Sequence, residues 1–143
     1  MRNVVLALLL IIAVTACKQN TKKTESNEVQ TEAAINAADA SVVNVYYFHG
    51  KQRCKTCIAV GDVAKETVEK AYAANNKVVF KEIDTSEEIA KSLVEKYEVT
   101  WNALVIAKGG DNIEITKQAF AMAVENPESL EMLIKEEVNK RLQ

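Results

Sequence analysis

The chain has 143 residues, 48% of them hydrophobic and 27% charged, with a net charge of −2. That balance supplies enough apolar side chains for a core and no basic excess for a nucleic-acid partner. Its three cysteines, one histidine and one proline confine the reactive chemistry to very few positions.

Met1 and Arg2 give a short charged start, and Val4 to Val14 is an almost unbroken apolar run that ends in Thr15, Ala16 and Cys17. This layout predicts a secretory signal, too short for an ordinary transmembrane helix. Val14-Thr15-Ala16-Cys17 resembles the bacterial lipoprotein signal: branched aliphatic, small, small, cysteine. The resemblance implies a signal peptide over 1–16 and a lipid on Cys17, anchoring the protein to a membrane outside the cytoplasm, on the periplasmic side or the cell surface. Loss of residues 1–16 removes Arg2 alone, leaving 17 basic against 20 acidic side chains, a net charge of about −3. Lys18 offers no acidic retention signal, which favours an outer membrane where there is one.

Residues 17–40 form the next unit, the lipid-bearing cysteine and a stretch rich in Lys, Gln, Asn, Thr, Glu, Ser and Ala. Such a composition buries too little surface to offset the entropy of ordering, so it is expected to act as a flexible tether. From residue 41 to 143 there is room for one small domain with its own core.

Within that domain a first strand is expected over 42–48, from the run Val42-Val43-Asn44-Val45-Tyr46-Tyr47-Phe48. A helix then starts near Cys54 and runs to about Ala74, with Ile58, Val60, Val63, Ala64, Val68, Ala71 and Tyr72 available for burial. Gly61 inside it costs roughly 1 kcal/mol of helix propensity against alanine, which suggests a kink or close packing. The second strand is Val78 to Ile83. Thr85 and Glu88 have the spacing of a capping box opening a helix that places Ile89, Leu93 and Tyr97 on one face. A third strand covers Ala103 to Ala107, Gly109-Gly110-Asp111 turns the chain, and Asn112 to Lys117 returns as an antiparallel partner. Asn126 before Pro127 marks the last helix, with Leu130, Leu133, Ile134 and Val138 facing inward.

Cys54 and Cys57 enclose Lys55 and Thr56 at the junction of the first strand and first helix. The helix N-terminus presents unpaired N–H groups and partial positive charge, which favour thiolate over thiol. Once Cys17 is taken by lipid, these two are an isolated pair in an oxidising compartment. A disulfide between them closes too small a loop to be an obvious staple, so function explains the pair better than stability.

The strand, helix, strand, helix, strand, strand, helix order, with Cys-x-x-Cys opening its first helix, resembles the thioredoxin family over residues 42–142. The resemblance implies an α/β thioredoxin-like fold, with a central four-stranded mixed sheet flanked by helices. It also implies thiol–disulfide oxidoreductase activity, with Cys54 attacking and Cys57 resolving. Three departures stand out. Arg53-Cys54-Lys55-Thr56-Cys57 replaces the family's Trp-Cys-Gly-Pro-Cys. No proline precedes the third strand, where Thr100-Trp101-Asn102-Ala103 stands and the family has a cis-proline. The family's buried acid falls near Tyr46 or Tyr47.

Around the pair, Arg53, Lys55 and His49 are expected to tune the thiolate, and Trp101 and Asn102 to meet substrate. Each has a plainer reading: a solvated turn for Arg53 and Lys55, a loop position for His49, packing for Trp101; the other functional readings of His49 are a proton carrier for Cys57 and a third metal ligand. Ile58 stands where haem attachment needs histidine, and a closed zinc site wants four ligands. No cofactor or resident metal is expected. The alternatives to disulfide exchange are capture or transfer of a soft metal of the copper type by the same thiols, and a thioredoxin-fold interaction module. Partners under the leading reading are protein thiols and disulfides, the membrane through Cys17, and a membrane-embedded thiol electron carrier.

Overall fold

The computed structural model describes residues 40–143. The signal peptide over 1–16, the lipid position Cys17 and nearly all of the tether lie outside the described residues. Among the described residues no helix is long and apolar enough to cross a membrane.

The described chain is an α/β, thioredoxin-like fold built on one four-stranded sheet. Strand β1 (Val43–His49) leads through helix α1 (Lys55–Ala71) to β2 (Val78–Asp84), which pairs parallel to β1 from Val43↔Val78 to His49↔Asp84. A 3-10 turn (Glu88–Ala90) and α2 (Lys91–Lys96) return the chain to β3 (Ala103–Lys108), antiparallel to β1. Strand β4 (Asp111–Glu114) folds back on β3, giving the order β2-β1-β3-β4. Helices α3 (Thr116–Met122) and α4 (Pro127–Leu142) complete the chain.

Alternation along the strands divides the core into two layers. Val43, Val45, Tyr47, Leu104 and Ile106 face one side, where Val60, Ala64 and Val68 of α1, Ala119 of α3, and Leu130, Ile134 and Val138 of α4 cover them. Tyr46, Phe48, Ile83, Ala103, Val105 and Ala107 face the other, under Ala90 and Leu93 of the 3-10 turn and α2. The strands therefore read as apolar runs, as a sheet covered on both faces requires.

Four local outcomes differ from the sequence reading. Helix α1 ends at Ala71 rather than near Ala74, with Tyr72 closing it through a bond to Val68 O. The capping box at Thr85 does not form: the Thr85 hydroxyl donates to His49 O at 3.2 Å, and the N-cap of the 3-10 turn is Glu87, with no side-chain cap. Strand β4 ends at Glu114 instead of Lys117. Thr116 Oγ1 there accepts from Leu104 N at 2.9 Å, and the chain turns into α3, a helix not expected from the sequence.

Two backbone positions take positive φ. Gly109 (φ 58°) makes the β3–β4 turn, packed beside Ala40 where the described chain enters. Glu98 (φ 51°) closes α2: Val99 N bonds to Val94 O and Glu98 N to Glu95 O, the pattern of a Schellman ending usually given to glycine.

Candidate functional site

Cys54 is the N-cap of α1, in extended conformation, and its sulfur accepts a hydrogen bond from Cys57 N at 3.1 Å. Serine and aspartate usually fill this role with oxygen; here the acceptor is the reactive sulfur itself. Cys54 and Cys57 are joined as a disulfide, with their Cα atoms 5.0 Å apart. Cys54 is exposed and Cys57 only 5% exposed, so one sulfur faces solvent and the other faces the protein.

Cys57 is held from two sides. The buried Tyr47 hydroxyl donates to Cys57 O at 2.6 Å, and Asn102 Nδ2 lies 3.8 Å from Cys57 Sγ. Burial pushes the Tyr47 phenol up, with Arg53 pulling the other way by charge and hydrogen bonding, so the hydroxyl keeps its proton as a donor. Tyr47 meets the cysteine turn through the backbone carbonyl of Cys57.

Arg53 turns toward the sheet. Its Nη1 donates to Glu82 Oε1 at 2.6 Å, and its guanidinium sits 5.5 Å from the centroid of the Tyr47 ring. Glu82 is directly opposite Tyr47 in the β1–β2 register. His49 Nε2 reaches the same carboxylate oxygen at 3.3 Å, while its Nδ1 lies 2.9 Å from Gly50 O. Tyr47, His49, Arg53 and Glu82 thus form one cluster at the end of the sheet beside the cysteine turn. Lys55 is exposed and makes no ion pair among the described residues.

Gly61, two turns from the helix start, is what admits this cluster. A Cβ there would meet Arg53 Nη2 at 2.7 Å and the Tyr47 ring at 2.9 and 3.0 Å. The close packing suggested by a glycine in mid-helix is packing against the arginine and tyrosine beneath the site.

Trp101 is 78% exposed, and Ile58, the residue after Cys57, is 45% exposed. Trp101 borders a cleft of about 240 Å³ with Gly50, Thr85 and Thr100. A larger groove of about 560 Å³, between Lys65, Val68, Tyr72 and Phe80, lies at the far end of α1 from the cysteines and is lined by no cysteine or histidine. Among the described residues no group of three or more His, Cys, Asp or Glu side chains could hold a metal ion. The His49 ring lies against the Glu82 carboxylate, with Nε2 3.3 Å from Oε1.

Sequence reasoning brought Cys54, Cys57, Asn102, His49 and Arg53 to this region but missed Glu82, the role of Tyr47 and the partners that Gly61 packs against. A signal for Glu82 was present: Val78, Phe80 and Glu82 alternate on one face of β2, so a carboxylate ends an otherwise apolar row. Its partners, in another strand and a loop, follow only from the register.

No protein-family model matches the chain, and no curated protein matches it. A solved structure described as "Structure of a malarial protein" is similar at 20% identity, covering 68% of this chain and 98% of its own, with a TM-score of 0.46. A likeness of that size carries no argument about function.

Proposed function

We propose that the protein is a thiol–disulfide oxidoreductase exchanging disulfides with protein partners through Cys54 and Cys57. The observation that carries this reading is the disulfide at the start of α1, one sulfur exposed and the other buried. In the reducing direction, the Cys54 thiolate attacks a partner disulfide, forming a mixed disulfide and releasing one partner thiolate. Cys57 then attacks Cys54 Sγ, which closes the Cys54–Cys57 bond and releases the second partner thiolate. In the oxidising direction the same steps run backward. Lys55, the helix start and the Cys57 N–H donor all favour the Cys54 thiolate. The couple should accordingly be less reducing than thioredoxin's, about −270 mV.

Trp101 and Ile58 supply an apolar rim on which a partner's backbone and side chains can rest beside Cys54. The amino-terminal signal and Cys17 extend the proposal to place: a lipid-anchored protein outside the cytoplasm, on a bacterial membrane.

Two experiments test the function. Equilibration of the purified protein with glutathione buffers, read by thiol labelling, should give one reversible two-electron transition above −270 mV; a lower value defeats the tuning argument. Cys57→Ser should accumulate partner proteins disulfide-linked to Cys54 in cells. A native pair that never cycles, and a variant that traps nothing, would reject exchange as the function. Lipid-precursor labelling that disappears in Cys17→Ala checks the anchor.

A further inference from the structure

Each sulfur of the pair has its own N–H donor. Cys54 Sγ accepts from the backbone N–H of Cys57 at 3.1 Å, and Cys57 Sγ has the Asn102 side-chain amide at 3.8 Å. The second donor comes from a different element, the residue directly before β3, and it approaches a sulfur with little access to water. Thr100-Trp101-Asn102-Ala103 contains no proline, and all peptide bonds among the described residues are trans. The position therefore presents a polar side chain to the disulfide.

We propose that Asn102 is a catalytic residue that acts on the protein's own buried sulfur: its amide N–H holds Cys57 as thiolate when the disulfide is open and so sets the rate of resolution. This inference rests on the exchange function proposed above. In the resolving step the Cys57 thiolate attacks Cys54 Sγ of a mixed disulfide. The Cys54–Cys57 bond forms, the bond from Cys54 to the partner sulfur breaks, and the partner leaves as thiolate with the electron pair and takes a proton from water. The dithiol is oxidised by two electrons and the partner disulfide reduced by two.

The step needs an anion on a buried sulfur, and burial alone favours the neutral thiol. A neutral amide donor aimed at that sulfur offsets part of this cost without placing a charge in the site. Tyr47 contributes differently, since its hydroxyl is committed to Cys57 O and fixes the turn. Asn102 is the side-chain donor to Cys57 Sγ among the described residues.

The reduced protein mixed with the aromatic disulfide 5,5′-dithiobis(2-nitrobenzoate) tests this. Release of the first coloured thiolate reports attack by Cys54. A second, concentration-independent release reports resolution by Cys57. Comparison of native protein with Asn102→Leu, which lacks the donor, and Asn102→Asp, of nearly the same shape with the opposite electrostatics, separates chemistry from packing. Below its midpoint the second phase should slow about tenfold in Asn102→Leu, equal to ~1.4 kcal/mol, and by more in Asn102→Asp. At high pH the variants should match or exceed the native rate, because a more basic thiolate is the better nucleophile.

Crossing pH profiles with an unchanged first phase support the assignment. A variant that is slower by one factor at every pH, or an Asn102→Asp profile equal to the native one, overturns it. Two native phases with such a result refute only the role of Asn102. A native protein that shows no second phase refutes the exchange function as well.

Discussion

Replacing Gly61 with alanine sets two effects of known size against each other. In an exposed helix the change would stabilise by about 1 kcal/mol, because alanine loses less backbone entropy and glycine is a poor helix former. Here the added Cβ lands 2.7 Å from Arg53 Nη2 and 2.9 Å from Tyr47 Cε1. The guanidinium can retreat, at the expense of its bond to Glu82, a partly exposed contact worth about 1 kcal/mol or less. The Tyr47 ring has less freedom, since it is fully buried and fixed at its hydroxyl by Cys57 O. Overpacking against such a ring costs about 1–3 kcal/mol. The net expectation is a loss of roughly 1–2 kcal/mol, a fall in Tm of about 4–8 °C for each kcal/mol in a domain of this size. Urea unfolding of the oxidised protein measures it. In an Arg53→Ala background the cost of Gly61→Ala should shrink without vanishing, because the Tyr47 contacts remain. A Gly61→Ala protein as stable as the native one, or more so, would refute the packing argument.

Three further outcomes follow from separate parts of the molecule. Glu98→Gly should stabilise by about 1 kcal/mol in the same unfolding assay, since the αL position at the end of α2 strains any residue with a Cβ; a loss of stability would show that the glutamate side chain contributes there. Glu137 is nearly buried on α4 between Lys140 at 2.7 Å and Arg141 at 2.9 Å, and the Lys140 hydrogen bond first, then that of Arg141, hold its carboxyl below the usual glutamate range against the opposing effect of burial. Its folded value lies under its unfolded one, so the stability it supplies is complete above the unfolded value and is lost as pH falls through the folded one. Glu137→Gln should therefore cost roughly 1–3 kcal/mol at neutral pH and flatten the acid limb of the stability profile; an unchanged limb would refute this. Trp101→Ala should slow reaction with a disulfide peptide carrying apolar residues about 5–10-fold while leaving glutathione disulfide unaffected. Equal losses on both would place the tryptophan in the chemistry or the fold instead of the rim.

The parts legible in the sequence were those whose physics is local. Val43, Val45 and Tyr47 alternate with Asn44, Tyr46 and Phe48 in a short β-rich run, and Val60, Ala64 and Val68 recur at helical spacing. The cysteine turn followed from the junction between them. Helix α3 was hidden because Ile113 and Ile115 read as a strand face. Ile115, Ala119 and Ala123 are buried at helical spacing, and the turn that starts the helix depends on Thr116 meeting the backbone of Leu104 from another strand. Thr85 had the right neighbours for a cap, but its hydroxyl donates to His49 O at the end of β1 and accepts from no helix N–H. Arg53 and Glu82 lie far apart in sequence, and only the parallel pairing of two strands brings that carboxylate to the arginine.

The position of Ala40 has a mechanical consequence. Strand β1 starts near the β3–β4 turn, where Ala40 packs against Gly109, and ends at His49 beside the cysteine turn. Strand β3 runs the other way, so Asn102 lies at the cysteine pole and Gly109 at the opposite one. Seven residues of strand separate the poles by about 23 Å. Any force transmitted along the chain ahead of Ala40 is therefore applied at the pole remote from the disulfide. Whatever the chain ahead of Ala40 is joined to, the exposed sulfur of Cys54 lies at the opposite pole of the domain.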